Sequence, residues 1–239
     1  MGKILLLYDT HGRPFWRDAV EKHMEECEYV LFGGDYLDPY QDEEEPVTRK
    51  ESMKSLDDII ELKRNNMEKV ILLLGNHDGH YLYRDFGKST RYDSSNAFHN
   101  KETFVNNKTL FKDAWDKMIK DTRYLFTHAG VCRSWYERHK EDIGELTADN
   151  LNKSFNVKDW SEYSRYRGWL GYDVGSPMWS DVRERFGKDG SETEQDIEGI
   201  FNVFGHTRLK HQPYISKNWA CLDAQKAFIM DDEGNISEA

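Results

Sequence analysis

Short, continuous apolar runs alternate with longer amphipathic stretches along this chain, and a polar cluster follows almost every run. Residues 3–8 (Lys-Ile-Leu-Leu-Leu-Tyr) open the series with the pattern of a strand buried on both faces. A helix-like segment follows at about 15–27, and then a second run, Tyr29-Val30-Leu31-Phe32, closed by Gly33-Gly34. Between Leu56 and Asn66, the residues Leu56, Ile59, Ile60 and Leu62 recur on one side, which predicts a helix. Val70-Ile71-Leu72-Leu73-Leu74 ends at Gly75, Tyr124-Leu125-Phe126 is a fourth run, and Phe201-Asn202-Val203-Phe204 ends at Gly205. Trp219–Leu222 and Ala227–Met230 read as a hairpin around Asp223-Ala224-Gln225. Strands alternating with helices predict an α/β protein, in which ligands gather beyond the carboxyl ends of the strands.

Two stretches break the alternation. Residues 40–55, with Asp42-Glu43-Glu44-Glu45-Pro46, read as a charged, solvated loop. Residues 133–195 are rich in Trp, Tyr, Arg and Gly and lack strand runs, which predicts either outer helical packing or a lid over a site. The 239 residues are otherwise read as one domain, long enough to close a core of its own.

Composition narrows the class. With 32% charged and 38% hydrophobic residues the chain reads as globular, and no apolar stretch approaches a membrane span. The first strand begins at residue 3 with no signal peptide before it, and Cys27, Cys132 and Cys221 lack disulfide or metal spacing; both point to a cytoplasmic protein with reduced thiols. A net charge of −11 argues against charge-driven binding to nucleic acid polymers.

The chemistry sits in five clusters: Asp9-Thr10-His11-Gly12, Gly34-Asp35-Tyr36-Leu37-Asp38, Gly75-Asn76-His77-Asp78, Thr127-His128-Ala129-Gly130 and Gly205-His206-Thr207. Each follows an apolar run and brings a carboxylate, imidazole or amide oxygen. One Asp after a strand is ordinarily a helix cap; five such clusters in order are not explained by capping.

This series resembles the calcineurin-like metallophosphoesterase superfamily, whose pattern runs GDxHG, GDxxD(RG), GNH(E/D), H(A/G)G and GH(T), and it spans positions 9 to 207. Within the superfamily it is similar to small bacterial and phage phosphatases of the Ser/Thr protein phosphatase branch, and Trp179-Ser180-Asp181 is similar to a segment of that branch. The resemblance implies a four-layer αββα sandwich and a two-metal hydrolase of phosphate esters, with hydroxide held between the cations. It implies Asp9 and His11 as ligands of the first metal, Asp35 as the bridge, and Asn76, His128 and His206 as ligands of the second. It also implies His77 as the acid that protonates the leaving group and Asp38 as the carboxylate that fixes the His77 tautomer. Two carboxylates against two divalent cations leave a surplus of about two positive charges to meet a phosphate dianion. O/N ligation without cysteine suits Mn²⁺, favoured here, as well as Fe or Zn²⁺.

Two departures matter. The branch carries an Arg directly after the position of Asp38, where this chain has Pro39-Tyr40, so the phosphate clamp must come from elsewhere. Arg13 and Arg183 are the leading substitutes, with Arg84, Arg185 and Arg208 behind them. The last motif reads Gly205-His206-Thr207-Arg208 instead of the GHxH of phosphodiesterases, which favours monoesters. The implied substrate is a phosphorylated small molecule, nucleotide or phosphoprotein. The alternatives are a dinucleoside polyphosphate or nucleotide hydrolase, with Trp160, Tyr163, Tyr166, Trp169, Tyr172 and Trp179 as stacking groups, and a phosphodiesterase on the same metal site. A binding module without metals would have lost ligands, and none is lost here.

Overall fold

The computed structural model describes residues 2–43, 46–83, 86, 91–163, 174–186 and 195–239. The chain divides into two compact units, one of residues 1–112 with 225–239 and the other of residues 113–224.

The first unit is built on a six-stranded sheet. Its strands are β1 (Lys3–Leu7), β2 (Cys27–Phe32), β3 (Val70–Leu73), β4 (Phe111–Lys112), β10 (Ala227–Met230) and β11 (Ile236–Glu238), in the order β11-β10-β1-β2-β3-β4. β1 to β4 run parallel, and β10 lies antiparallel to β1 with Ile4 opposite Met230. Leu5, Leu6, Leu7, Val30, Leu31, Phe32, Leu72 and Leu73 are fully buried, as expected of parallel strands covered on both faces. Because β1, β2 and β3 point the same way, Asp9, Asp35 and Asn76 emerge from the same edge of this sheet.

Among the described residues the α-helices that join these strands are α1 (Phe15–His23), α2 (Arg49–Asn65), α3 (Asn76–Leu82) and α4 (Ala97–Asn106). α1 stops at His23, and Cys27 already belongs to β2, so the segment expected as helix to about 27 ends in a turn that feeds the strand. α2 starts at Arg49, seven residues before the predicted apolar stripe, so residues 49–55 of the expected loop at 40–55 are helical. The reason is a reciprocal cap: Glu51 N–H donates to Thr48 Oγ1, and Thr48 N–H donates to Glu51 Oε2. Trp16 of α1 donates its indole N–H to Ser55 Oγ of α2 at 3.0 Å, and both residues are buried.

The second unit carries a five-stranded sheet of β5 (Ala114–Ile119), β6 (Thr122–Thr127), β7 (Ile200–Phe204), β8 (Tyr214–Ile215) and β9 (Trp219–Cys221), in the order β5-β6-β7-β9-β8. β6, β7 and β9 are parallel, so His128 and His206 leave the same edge of it. The expected hairpin of 219–222 with 227–230 does not form. β9 pairs with β7 and β8, while β10 pairs with β1 and β11, and the segment between them is where the chain passes from one unit to the other.

Residues 133–195 contain α5 (Arg133–Ile143), α6 (Ala148–Lys153), α7 (Val157–Trp160) and a 3₁₀ turn at Val182–Arg185, in line with the helical insertion expected there. Tyr166, Trp169, Tyr172 and Arg84 lie outside the described residues. Trp160 is buried against Trp135 and Phe155, which makes it a packing residue of the second unit. No described helix is long and apolar enough to cross a membrane. The chain is thus an α/β protein with two mixed sheets and flanking helices.

The Trp16–Ser55 bond supports a direct test of the α1–α2 contact. Ser55→Ala should cost about 1–2 kcal/mol by urea unfolding, because a buried indole N–H loses its acceptor. Most of that cost should vanish in a Trp16→Phe background, where no donor is left unpaired.

Candidate metal centre

In the first unit the polar clusters occupy the turns after β1, β2 and β3, and the backbone after β1 and β2 is strained. Among the described residues, seven non-glycine positions have positive φ, and four of them are Asp9, His11, Asp35 and Asp38; a fifth, His206, is in the second unit. Such conformations cost of order 1 kcal/mol or more each and persist where the surroundings over-determine them. Asp9, His11, Asp35, Asp38, Asn76 and His77 are also all buried.

What fixes the turns is a carboxylate that carries no expected role. Asp78 Oδ2 accepts from the Gly75 and Asp35 N–H groups at 2.8 Å each, and Oδ1 accepts from Tyr36 N–H at 3.1 Å. It thereby ties the turn after β2 to the start of α3. Burial, then the Asp35 carboxylate, push the Asp78 pKa up, and the three N–H donors oppose that shift. The two turns approach so closely that a Cβ at Gly75 would lie 2.2 Å from Asp35 Oδ1, so only glycine fits.

Asp35 is shared. Its Oδ1 accepts from His77 N–H at 2.9 Å, and its Oδ2 lies 3.5 Å from His11 Nε2. His11 donates from Nδ1 to the Leu37 carbonyl at 2.6 Å, which fixes the tautomer and leaves a lone pair on Nε2. Burial, followed by the neighbouring His77, Arg91 and Arg13, lowers the His11 pKa well below the ordinary imidazole range, so the ring is neutral at neutral pH. An imidazole lone pair facing a carboxylate oxygen is a pair of acceptors that calls for a cation. The donor atoms of His11, Asp35 and His77 fall within 4.8 Å of one another, all three buried.

Asp38 forms the adjoining group. Its Oδ2 lies 2.8 Å from both His77 Nδ1 and His80 Nε2, and Oδ1 accepts from Tyr81 O–H at 2.6 Å. Burial alone would raise the Asp38 pKa, but the bonds from His77, His80 and Tyr81 outweigh it and hold the carboxyl well below its usual range. His80, unassigned in the sequence, is therefore a buried partner of the same carboxylate.

The second unit brings His128 and His206 together, with Nε2 of the first 3.2 Å from Nδ1 of the second and both buried. The turn is braced by Gly205 N–H donating to the His128 carbonyl at 2.8 Å. Trp179-Ser180-Asp181 is anchored beside it: Trp179 stacks edge-on to His206, Ala129 N–H donates to the Pro177 carbonyl, and Val182 N–H donates to Thr207 Oγ1.

The two arginines that lead as substrate candidates, Arg13 and Arg183, each hold a carboxylate. Arg13 is buried, bonded through Nε and Nη2 to Glu43 and through Nη1 to the Asp9 carbonyl. Arg183 grips Asp181 with Nε and Nη2, at 2.8 and 2.6 Å. Arg185 lies buried over the rings of Phe204 and Trp219, donating to the Val131 carbonyl. Arg91, which stands in no recognisable motif, reaches the first unit's site: Nη2 is 3.3 Å from His11 Nε2 and 3.1 Å from His77 Nε2.

The chain belongs to the calcineurin-like phosphoesterase family, whose sequence model matches residues 2–208. This makes it a metal-dependent phosphoesterase. Among solved structures, a cold-active protein-tyrosine phosphatase of the psychrophile Shewanella sp. matches with a TM-score of 0.58 at 18% identity, over 100% of this chain and 80% of that one. A protein serine/threonine phosphatase from Saccharomyces cerevisiae matches with a TM-score of 0.50 at 15% identity, again over 100% and 80%. At these identities the likeness is one of fold. No curated protein matches the chain.

The neutral His11 facing Asp35, the strained turns and a donor set of oxygen and nitrogen all fit a hard or borderline divalent cation. Asp78 offers a test of how the turns are held. Asp78→Asn keeps the shape but turns an amide N–H₂ toward backbone donors, and it should destabilise the protein by about 3 kcal/mol in chemical unfolding. An unchanged midpoint would mean the turns are held by something else.

Proposed function

We propose that this chain is a two-metal phosphomonoesterase related in chemistry to Ser/Thr protein phosphatases. In this reading Asp9, His11 and Asp35 hold one cation, and Asp35, Asn76, His128 and His206 hold the other. The family pattern is what joins the two sets. Mn²⁺ is the proposed metal, and Fe or Zn²⁺ suits the same donors. When bound, the pair supplies an acidified water and the positive charge that a phosphoryl group needs during in-line displacement.

The observation that carries the reading is the double use of Asp35: one oxygen faces the neutral Nε2 of His11 while the other takes the backbone N–H of His77. The residue that would bridge the cations is thus tied to the residue that would supply the proton. His77 is held at Nδ1 by Asp38, so Nε2 is the atom that hands a proton to the departing alkoxide. Asp38, with His80 and Tyr81 on its remaining lone pairs, keeps that ring from turning. Gly205-His206-Thr207-Arg208 lacks the second histidine of diesterases, which supports monoester chemistry. Arg13 and Arg183 would reach a phosphate only by releasing Glu43 and Asp181. The substrate class is a phosphorylated small molecule, nucleotide or phosphoprotein.

The test strips the protein of metal and restores Mn²⁺ stepwise while p-nitrophenyl phosphate and bis-p-nitrophenyl phosphate are assayed. Monoester cleavage should rise with Mn²⁺. His77→Asn should lower kcat by about 10²–10⁴-fold with metal content unchanged, whereas Asp35→Asn should lose metal. Faster diester cleavage would move the protein to nucleotide or phosphodiester chemistry, and a protein that takes up no metal would end the two-metal reading.

A further inference from the structure

The geometry points to Arg91 as the group that grips the phosphoryl oxygens of a monoester dianion, in the role the chain leaves open after Asp38. This inference rests on the phosphomonoesterase reading and assigns one residue within it.

Arg91 is positioned at three points. Its Nε donates to the Asp38 carbonyl at 2.9 Å. Its guanidinium lies over the Tyr40 ring, with Cζ 3.6 Å from the centroid. Its Nη2 sits between the Nε2 atoms of His11 and His77, whose rings meet edge to face at 5.1 Å. The first two contacts fix the base and plane of the guanidinium against backbone and ring. The third points its donor edge between the candidate metal ligand and the candidate acid. Position 39 is Pro, yet Arg91 brings a guanidinium to the backbone of the same turn from far along the chain.

Charge separates Arg91 from its rivals. Arg13 is neutralised by Glu43 and Arg183 by Asp181, each through two guanidinium nitrogens. The described partners of Arg91 are two imidazole nitrogens and a carbonyl, and no carboxylate is among them. At 3.1 and 3.3 Å its imidazole contacts are long for charged donors. A phosphate oxygen is the better acceptor, because a charge-assisted bond is roughly twice as strong as a neutral one. Exchange of imidazole for phosphate needs only a small movement of Nη2, since the Nε bond and the Tyr40 stack can stay in place. The fork of Nη1 and Nη2 then matches two terminal oxygens of the ester.

The same contact gives specificity. A monoester dianion presents three terminal oxygens and about two charges, and a diester presents two oxygens and one charge, so a guanidinium favours the monoester. Loss of Arg91 should therefore weaken monoester turnover more than diester turnover.

The experiment uses the full-length, Mn²⁺-loaded protein with inorganic phosphate as the probe in isothermal titration, alongside metal analysis and the two nitrophenyl esters. Arg91→Ala should weaken phosphate binding by about 10- to 100-fold, the loss expected when hydrogen bonds to a charged group disappear. KM for the monoester should rise, the monoester-to-diester ratio of kcat/KM should fall, and metal content should stay at the wild-type level. Arg91→Lys should restore part of the phosphate affinity, as a point charge without the fork, and it covers the case in which the alanine variant folds poorly. Wild-type phosphate affinity in both variants would overturn the assignment and leave the metal site standing. So would lost metal in both, which would make Arg91 a support for His11. A wild-type protein that binds metal but neither binds phosphate nor cleaves either ester would instead remove the reading on which the assignment rests.

Discussion

A buried carboxylate with no part in the proposed chemistry holds the first unit's site in shape. Asp78 takes three backbone N–H groups from the turn after β2 and the start of α3, and Gly75 lets those segments close to a distance no side chain would permit. From that junction the rest follows. Asp35 is presented with one oxygen toward His11 and the other on the His77 backbone, so three residues of the candidate site inherit their positions from one joint. The left-handed backbone at Asp9, His11, Asp35 and Asp38 is tolerated because parallel strands buried on both faces make the base beneath it rigid.

Electrostatics and geometry act together at the two histidines. The His11 ring is neutral because it is buried and surrounded by positive neighbours, and its bond to the Leu37 carbonyl decides which nitrogen is left to bind. His77 has a different anchor, the Asp38 carboxylate, kept ionised by the donors that surround it. Two imidazoles of the same kind, meeting edge to face, are thus set apart by what each meets at Nδ1. One meets a backbone carbonyl and offers a lone pair. The other meets a carboxylate that fixes the orientation of its ring.

The strands that lead to the site were legible because full burial of a parallel strand writes itself as an unbroken apolar run, and β1, β2, β3, β6 and β7 all carry one. The motif residues were legible because each stands directly after such a run. β5 and β8 leave no continuous apolar run, because Asp116 and Lys117 interrupt the first and the second is two exposed residues. The start of α2 was missed although Thr48-x-x-Glu51 is a readable cap, since charge density in that stretch reads as solvated loop. The false hairpin at 219–230 arose from two apolar runs close in sequence that belong to different sheets. Arg91 was illegible for a deeper reason: its place depends on a side chain reaching back to Asp38, and spacing carries no trace of that.

The pairing of Ile4 with Met230 also bears on how the protein comes into being. On the ribosome β1 must wait for a strand made much later, since β10 is its antiparallel neighbour and the second unit is synthesised in between. Until then the edge of β1 opposite β2 is an open template for pairing. A chain cut short before residue 225 would thus lack that cover, so residues 225–239 act as the latch of a sheet begun at β1. Completion of the early unit is in this way tied to synthesis of residues 225–239.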